Sequence, residues 1–289
     1  MTKVGIIANP VSARDIRRIV SHAGNLPIND RANIVLRMLT GLATAGVDEV
    51  LIMPENGGLR TQLMRTITRE TNMGGLRFPK ITYLDMPVTC TADDSALAAR
   101  KMHKAGVGAI VVLGGDGTNR VVVQNCGNTP ISGVSTGTNN AFPELREPTI
   151  TGLAVGLAVT GQVPHEFGFS DNKILEVKVN DQREIALVDV AVVAERFIGA
   201  RAIWKTANFR DLYTTFGLPE GIGMSSIVGL LAPLDRETPE GRHVHLLPPE
   251  QARVQIVAPI APGLIEKVGV GTVEAMQPGA VFLPSVSAG

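Results

Sequence analysis

Ala109-Ile110-Val111-Val112-Leu113-Gly114-Gly115-Asp116-Gly117-Thr118 is the stretch from which the rest of the chain is read. Its apolar half is β-branched and does not alternate, as in a strand buried on both faces of a parallel sheet. The glycines that follow let the backbone turn sharply and approach a ligand closely. Thr118 is placed to cap the next segment, so that the N–H groups and dipole of a helix there face the turn, an anion site. In open α/β sheets ligands sit outside the carboxyl ends of the strands, where this turn lies. One acid, Asp116, stands among those amides. Beside phosphates it has a role as a Mg²⁺ ligand or as acceptor of a proton from an attacking hydroxyl. A plain strand-to-helix turn with an exposed Asp is the competing account.

Working outward, a first strand, Val4-Gly5-Ile6-Ile7-Ala8, runs into Asn9-Pro10-Val11-Ser12. A short helix over 13–20 would carry Arg14, Arg17 and Arg18, which serve either phosphate oxygens or a solvated face. Asn29 or Asp30 caps a helix whose Val35, Met38, Leu39 and Leu42 form one stripe, ended at Gly46. Strands follow at 49–53 and 81–84, with a helix to about Arg69 between them. Thr91 and Asp94 open a helix that stops at Gly106, with His103 on its surface. Val121-Val122-Val123 is a mediocre helix former. Ile150, Leu153, Ala154 and Leu157 give another helical stripe, ended by Gly161. Alternating strands and helices imply a parallel sheet with helices on its faces.

The texture changes after Gly161. Residues 174–179 alternate with period two, Asn180-Asp181 signals a turn, and 184–193 returns as a second strand. Strand-like runs recur at 243–247, 253–257, 271–276 and 281–283, with a helical piece around 208–216. The reading is α/β: an N-terminal domain over 1–161 with a parallel sheet flanked by helices, and a second, β-rich domain over 162–289 that closes a cleft. His243 and His245 face one side of their strand. With no third ligand nearby they read as a solvent-facing pair rather than a metal site.

Composition sets bounds. The 289 residues carry 27 Lys plus Arg against 27 Asp plus Glu, and this balance argues against a partner such as nucleic acid. Aromatic residues are only 4%, so aliphatic side chains must fill the core. Cys90 and Cys126, without metal spacing, read as buried thiols of a reducing compartment. Neither a signal peptide nor an apolar run of membrane-spanning length is seen, so a cytoplasmic protein without a membrane partner is expected. The balance of charge neither requires nor excludes a homo-oligomer.

Two further stretches join the central one: the Asn9-Pro10 turn, and Val134-Ser135-Thr136-Gly137-Thr138-Asn139-Asn140 after the short run 131–134. An Asn-Pro turn, Gly-Gly-Asp-Gly-Thr, and a Gly-Thr-x-Asn loop about 20 residues later together resemble the ATP-NAD kinase and diacylglycerol kinase superfamily. The start of the chain, with Asp15-Ile16-Arg17-Arg18, is most similar to the acetoin-catabolism protein X branch. The resemblance implies ATP and Mg²⁺ as cofactors and phosphoryl transfer to a hydroxyl of a nucleotide-like or other small-molecule substrate, held between the domains. Asp116 takes the catalytic role. Nucleotide contacts fall to Gly114, Gly115, Gly117, Thr118, Gly137, Thr138, Asn140 and Asn9.

The sequence also departs from that pattern. ATP-NAD kinases carry an Asn-Glu pair on a strand entering the second domain. Here Val188 replaces the Asn and Asp189 stands for the Glu, as a further nucleotide-binding candidate. Gly221-Ile222-Gly223-Met224-Ser225-Ser226 is the nearest counterpart of the Gly-Ser-Thr-Ala-Tyr stretch, and the late Asp-Gly-Glu motif has none. These departures leave two alternatives, a catalytically silent nucleotide-binding regulator and a lipid kinase. Arg201 and Trp204 either line the cleft or pack.

Overall fold

The computed structural model describes residues 1–9, 26–136, 140–194 and 206–283. The chain divides into two compact units, one built on residues 1–9, 26–136 and 142–170, the other on 140–141, 171–194 and 206–283.

Five parallel strands form the sheet of the first unit: β1 (Lys3–Ala8), β2 (Glu49–Ile52), β3 (Lys80–Tyr83), β4 (Ala109–Gly114) and β5 (Ile131–Ser135), in the order β3-β2-β1-β4-β5. Every residue of β4 is buried, as its unbroken apolar run requires. Helices cover both faces. On one side α1 (Ile28–Thr44), α2 (Leu59–Asn72) and α5 (Pro148–Val159) pack Val35, Met38, Leu39, Leu42, Leu63 and Val155 against Val4, Ile6, Val50 and Val111. On the other, α3 (Ala92–Lys104) and α4 (Asp116–Val123) pack Ala98, Met102 and Val122 against Ile7, Ile110 and Val112. A short α6 (His165–Gly168) follows.

The expected α1 stripe is fully buried, but the N-cap lies two residues before Asn29, the nearer of the expected caps. Pro27 is the N-cap, so Asn29 and Asp30 lie within the first turn. Thr91 does cap α3, accepting from the Asp93 N–H at 3.2 Å. Asp94 reaches back to the N–H groups of Thr89 and Cys90 at 2.9 and 2.8 Å. The stripe expected on α5 is not its buried face. Ile150 is 61% exposed, and the buried residues are Pro148, Thr151, Gly152, Val155 and Gly156. The reason is close approach to α1. A Cβ at Gly41 would stand 2.5 Å from Thr149 O and Leu153 N, one at Gly152 would overlap Met38 O, and one at Gly156 would stand 2.5 Å from Ala45 Cβ. Cys90 is exposed, against expectation, and only Cys126 is buried, which pushes its thiol pKa up.

The second unit pairs β6 (Leu175–Val179) with β7 (Gln182–Ala186) around Asn180, which adopts φ 54°. A separate antiparallel sheet holds β8 (Asp189–Val193), β9 (Phe209–Thr214), β10 (Gly241–Leu247), β11 (Val254–Ala261) and β12 (Leu264–Met276) in the order β11-β12-β10-β9-β8. The single strand expected over 184–193 is thus two strands in two sheets, broken at Leu187-Val188. The helical piece expected at 208–216 is strand β9, and the α-helix among this unit's described residues is α7 (Ser225–Leu231), behind the glycine-rich 221–226 stretch. α7 packs Ile227 and Val228 on Phe209, Leu212, Val244 and Val268. Residues 281–283 form no strand, and Val281 and Leu283 are over four-fifths exposed. Among the described residues no helix is long and apolar enough to cross a membrane.

Candidate functional site

The strand order reverses between β1 and β4, since β2 and β3 lie to one side and β5 to the other. Such a switch point leaves a crevice outside the carboxyl ends of the two central strands. Register fixes what borders it. Ala8 pairs with Leu113 and Gly114 with Ser135, so Asn9, Gly115-Asp116 and the segment after Ser135 leave the sheet side by side. Three stretches far apart in sequence, leaving the sheet at Asn9, Gly115-Asp116 and Thr136, therefore meet at one sheet edge.

The central turn departs from its expectation at the cap. Gly115, in extended conformation, is the N-cap of α4, and Thr118 lies inside the first turn without making a cap hydrogen bond. Gly114, Gly115 and Gly117 do not adopt positive φ. Gly114 is required for space instead. A Cβ there would stand 2.7 Å from Thr118 Cβ and 2.8 Å from its Oγ1, so the threonine side chain lies over the glycine. Gly117 is exposed and a Cβ on it would touch nothing within 4 Å among the described residues, which leaves room for a ligand on that side of the turn. The first intrahelical bond is Asn119 N–H to Gly115 O, at 3.1 Å. The N–H groups at 117 and 118 precede it, as orphan donors of a helix start do.

Asp116 is half-buried at the first helical position, where the dipole favours a negative charge. Its Oδ1 accepts from the Phe142 N–H at 2.8 Å, which ties the segment after the second glycine loop to the acid of the first. Asn140, half-buried, lies two residues before that tether. Gly137 and Thr138 fall outside the described residues, as do Arg14, Arg17, Arg18, Arg201 and Trp204. Asn9 is buried, its Nδ2 donating to Thr91 O and Ser95 Oγ at 3.0 Å each. Asp189 belongs to the second unit, where it opens β8 opposite Thr214. Val188 is buried and its carbonyl accepts from Thr215 N–H at 2.8 Å.

Two buried polar residues escaped the sequence reading. Arg31 is 6% exposed and donates through Nη1 to Asn9 O at 3.4 Å. Its signal was available, since position 31 precedes Val35, Met38 and Leu42 at the spacing of the same stripe. Asn119 is fully buried, its Nδ2 donating to Gly115 O at 3.0 Å, so that it holds the turn from beneath. Elsewhere, a hollow of about 630 Å³ beside β3 is lined by Pro54, Arg60, Met64, Tyr83 and Met86 and includes none of the motif residues.

No group of three or more His, Cys, Asp or Glu among the described residues is placed to hold a metal. A single carboxylate beside the free N–H groups of a helix start is the donor set Mg²⁺ uses with nucleotides, the phosphates and water filling the other positions. Asp116 fits that role.

The fold defines a doubly wound α/β domain of the ATP-NAD kinase-like kind. Residues 4–161 match the model of the ATP-NAD kinase N-terminal domain. Residues 173–289 match the acetoin catabolism protein X C-terminal domain. A curated relative, acetoin catabolism protein X of Cupriavidus necator, is 52% identical over 268 residues, covering 91% of this chain and 74% of the relative. The chain belongs to the acetoin catabolism protein X family of ATP-NAD kinase-like proteins.

Proposed function

We propose that the chain is an ATP- and Mg²⁺-dependent phosphotransferase whose acceptor is a hydroxyl of a small molecule, nucleotide-like or drawn from acetoin breakdown, the process named for its relative. The observation that carries this reading is the switch-point turn. Asp116 is fixed at the start of α4, N–H groups at 117 and 118 point out of the helix, and the space over Gly117 is open. Phosphoryl transfer asks for positioned phosphates, a metal and an aligned hydroxyl rather than covalent work by the protein. Amides bind the phosphates. Bound Mg²⁺ would neutralise charge on them, and Asp116 holds it or takes the acceptor proton.

A second reading, a nucleotide-binding regulator without turnover, rests on Val188. An apolar, buried side chain where the kinases have an amide offers no hydrogen bond to a dinucleotide. It makes NAD a poor acceptor on either reading.

The test is Gly117→Val, with calorimetric titration of ATP and NAD, each with and without Mg²⁺. The variant keeps its fold, because a side chain at 117 meets nothing and valine is the better helix former of the two. It loses ATP binding, because the branched side chain fills the phosphate approach. Normal ATP binding by the variant, or no heat from the unmodified protein with any nucleotide, overturns the nucleotide site. ADP release with candidate acceptors then separates kinase from regulator.

A further inference from the structure

The outer face of the second unit's sheet carries a polar cluster that the nucleotide site does not use. Along β9 and β10 alternate residues point away from the core that holds Leu212 and Val244. These are Asp211 and Tyr213 on one strand and His243 and His245 on the other, paired as His243 with Tyr213 and His245 with Asp211. Both histidines turn onto one carboxylate. His243 Nε2 lies 2.9 Å and His245 Nδ1 3.2 Å from Asp211 Oδ1, and Asp211 is 1% exposed. This replaces the solvent-facing pair expected from the sequence.

An ionised carboxylate only accepts, so both imidazoles donate to it, which fixes their tautomers. As a neutral imidazole, His243 keeps a lone pair on Nδ1. That atom is buried and has no hydrogen-bond partner, and the same is true of the hydroxyl of Tyr213. The two rings are stacked, 4.6 Å between centroids and 8° apart, and Phe282 leans on both at 5.8 and 6.1 Å. Burial first, then the Asp211 and Glu274 carboxylates, hold the Tyr213 hydroxyl above its ordinary pKa, so it remains a donor. A buried acceptor and a buried donor, both without partners and on adjacent rings, are what a bound group that both donates and accepts would satisfy.

We propose that this cluster is a second ligand site, which takes a neutral hydroxyl compound of the diol or polyol class. The ligand hydroxyl donates to His243 Nδ1 and accepts from Tyr213 Oη. Asp211 positions His243 and stabilises any positive charge it gains, as in other Asp–His pairs. Glu274 Oε2, 3.8 Å from His243 Nδ1, adds a second carboxylate at the rim. Two carboxylates bordering the rings favour a neutral ligand over an anion. The described residues form no metal site here, so a cation held by three such ligands is not the occupant.

The test is a titration of the full-length chain with glycerol and ethane-1,2-diol, read on the imidazole nitrogens by long-range ¹H–¹⁵N correlation. Inorganic phosphate serves as the anionic comparison. The expected result is a His243 Nδ1 resonance that moves saturably with the diols but not with phosphate. Tyr213→Phe removes a hydroxyl that has no partner, so the variant folds at least as well and binds the diols at least about tenfold more weakly. Absence of a saturable shift in the unmodified protein, an equal response to phosphate, or unchanged binding by the folded Phe variant would each overturn the proposal. The titration of the unmodified protein decides the matter even if the variant does not fold.

Discussion

Asp116→Asn separates what the acid does for the fold from what it does for the chemistry. Asparagine keeps an oxygen for the Phe142 N–H but gives up the charge. A hydrogen bond to a charged group contributes roughly 1.5–3 kcal/mol and a neutral one about 1. An acid in the first turn of a helix adds about 0.3–1 kcal/mol through the dipole. The substitution therefore costs about 1–2 kcal/mol, more than the half kilocalorie typical of an exposed side chain. In a unit of this size that lowers Tm by about 2–8 °C. Asp116→Ala also leaves the Phe142 N–H without its acceptor, a further loss of about 1–3 kcal/mol. Unfolding followed by circular dichroism should rank the three proteins acid, amide, alanine, and hydrogen exchange should show the Phe142 amide opening faster in that order. If the protein transfers phosphate, the asparagine variant slows by roughly 100- to 10,000-fold, far beyond its effect on stability. Equal stability of the asparagine and alanine variants would refute the tether, and undiminished turnover by the asparagine variant would refute the chemical role.

Other expectations follow from the same structure. Gly152→Ala should destabilise by about 1–3 kcal/mol through its clash with α1, although alanine is favoured over glycine in a helix by about 1 kcal/mol. A raised Tm would show that the helices are not in contact there. Glu49, buried on β2, accepts from Thr82 Oγ1 at 2.6 Å and pairs with Lys80 at 3.1 Å and Lys3 at 3.6 Å, which holds its carboxyl below the usual range. Its contribution is complete above about pH 4.5 and is lost as pH falls below that value, so Glu49→Gln should flatten the acid limb of the stability curve. Lys173 donates to the carbonyls of Asp235, Thr238 and Glu240. Lys173→Met should cost about 2 kcal/mol and speed hydrogen exchange across 235–240, and unchanged exchange would count against that clamp.

Legibility in the sequence followed from which forces leave a pattern. The β4 run and the α1 stripe bury large aliphatic side chains at regular spacing, and both could be read directly. β9 could not, and a bulge is the cause. Phe209, Leu212, Tyr213 and Phe216 fall at helical spacing. In the sheet, an irregularity between Val192 and Val193 brings Phe209 onto the same core face as Leu212, three positions on, and Tyr213 points to the other side. The α5 stripe failed for the opposite reason, because the residues that make the contact have no side chain for hydropathy to register. At the site, glycines and Asp116 were visible as a motif, whereas the Phe142 tether and the support from Arg31 depend on chain segments that only folding brings together.

That glycine seam has a rotational consequence. α5 is apolar nearly all round, so burial of oily surface barely prefers one orientation of the helix about its axis over another. Shape makes the choice. The observed azimuth turns Gly152 and Gly156 toward α1 and Gly41 toward α5, so that the two backbones close where a Cβ would collide. Deleting one residue between Pro148 and Gly152 would advance the helix by about 100°, one residue's share of a turn, and set a leucine where each glycine now sits. The pair of helices behaves less like two greased surfaces than like a key in its ward, and its tolerance is measured in degrees.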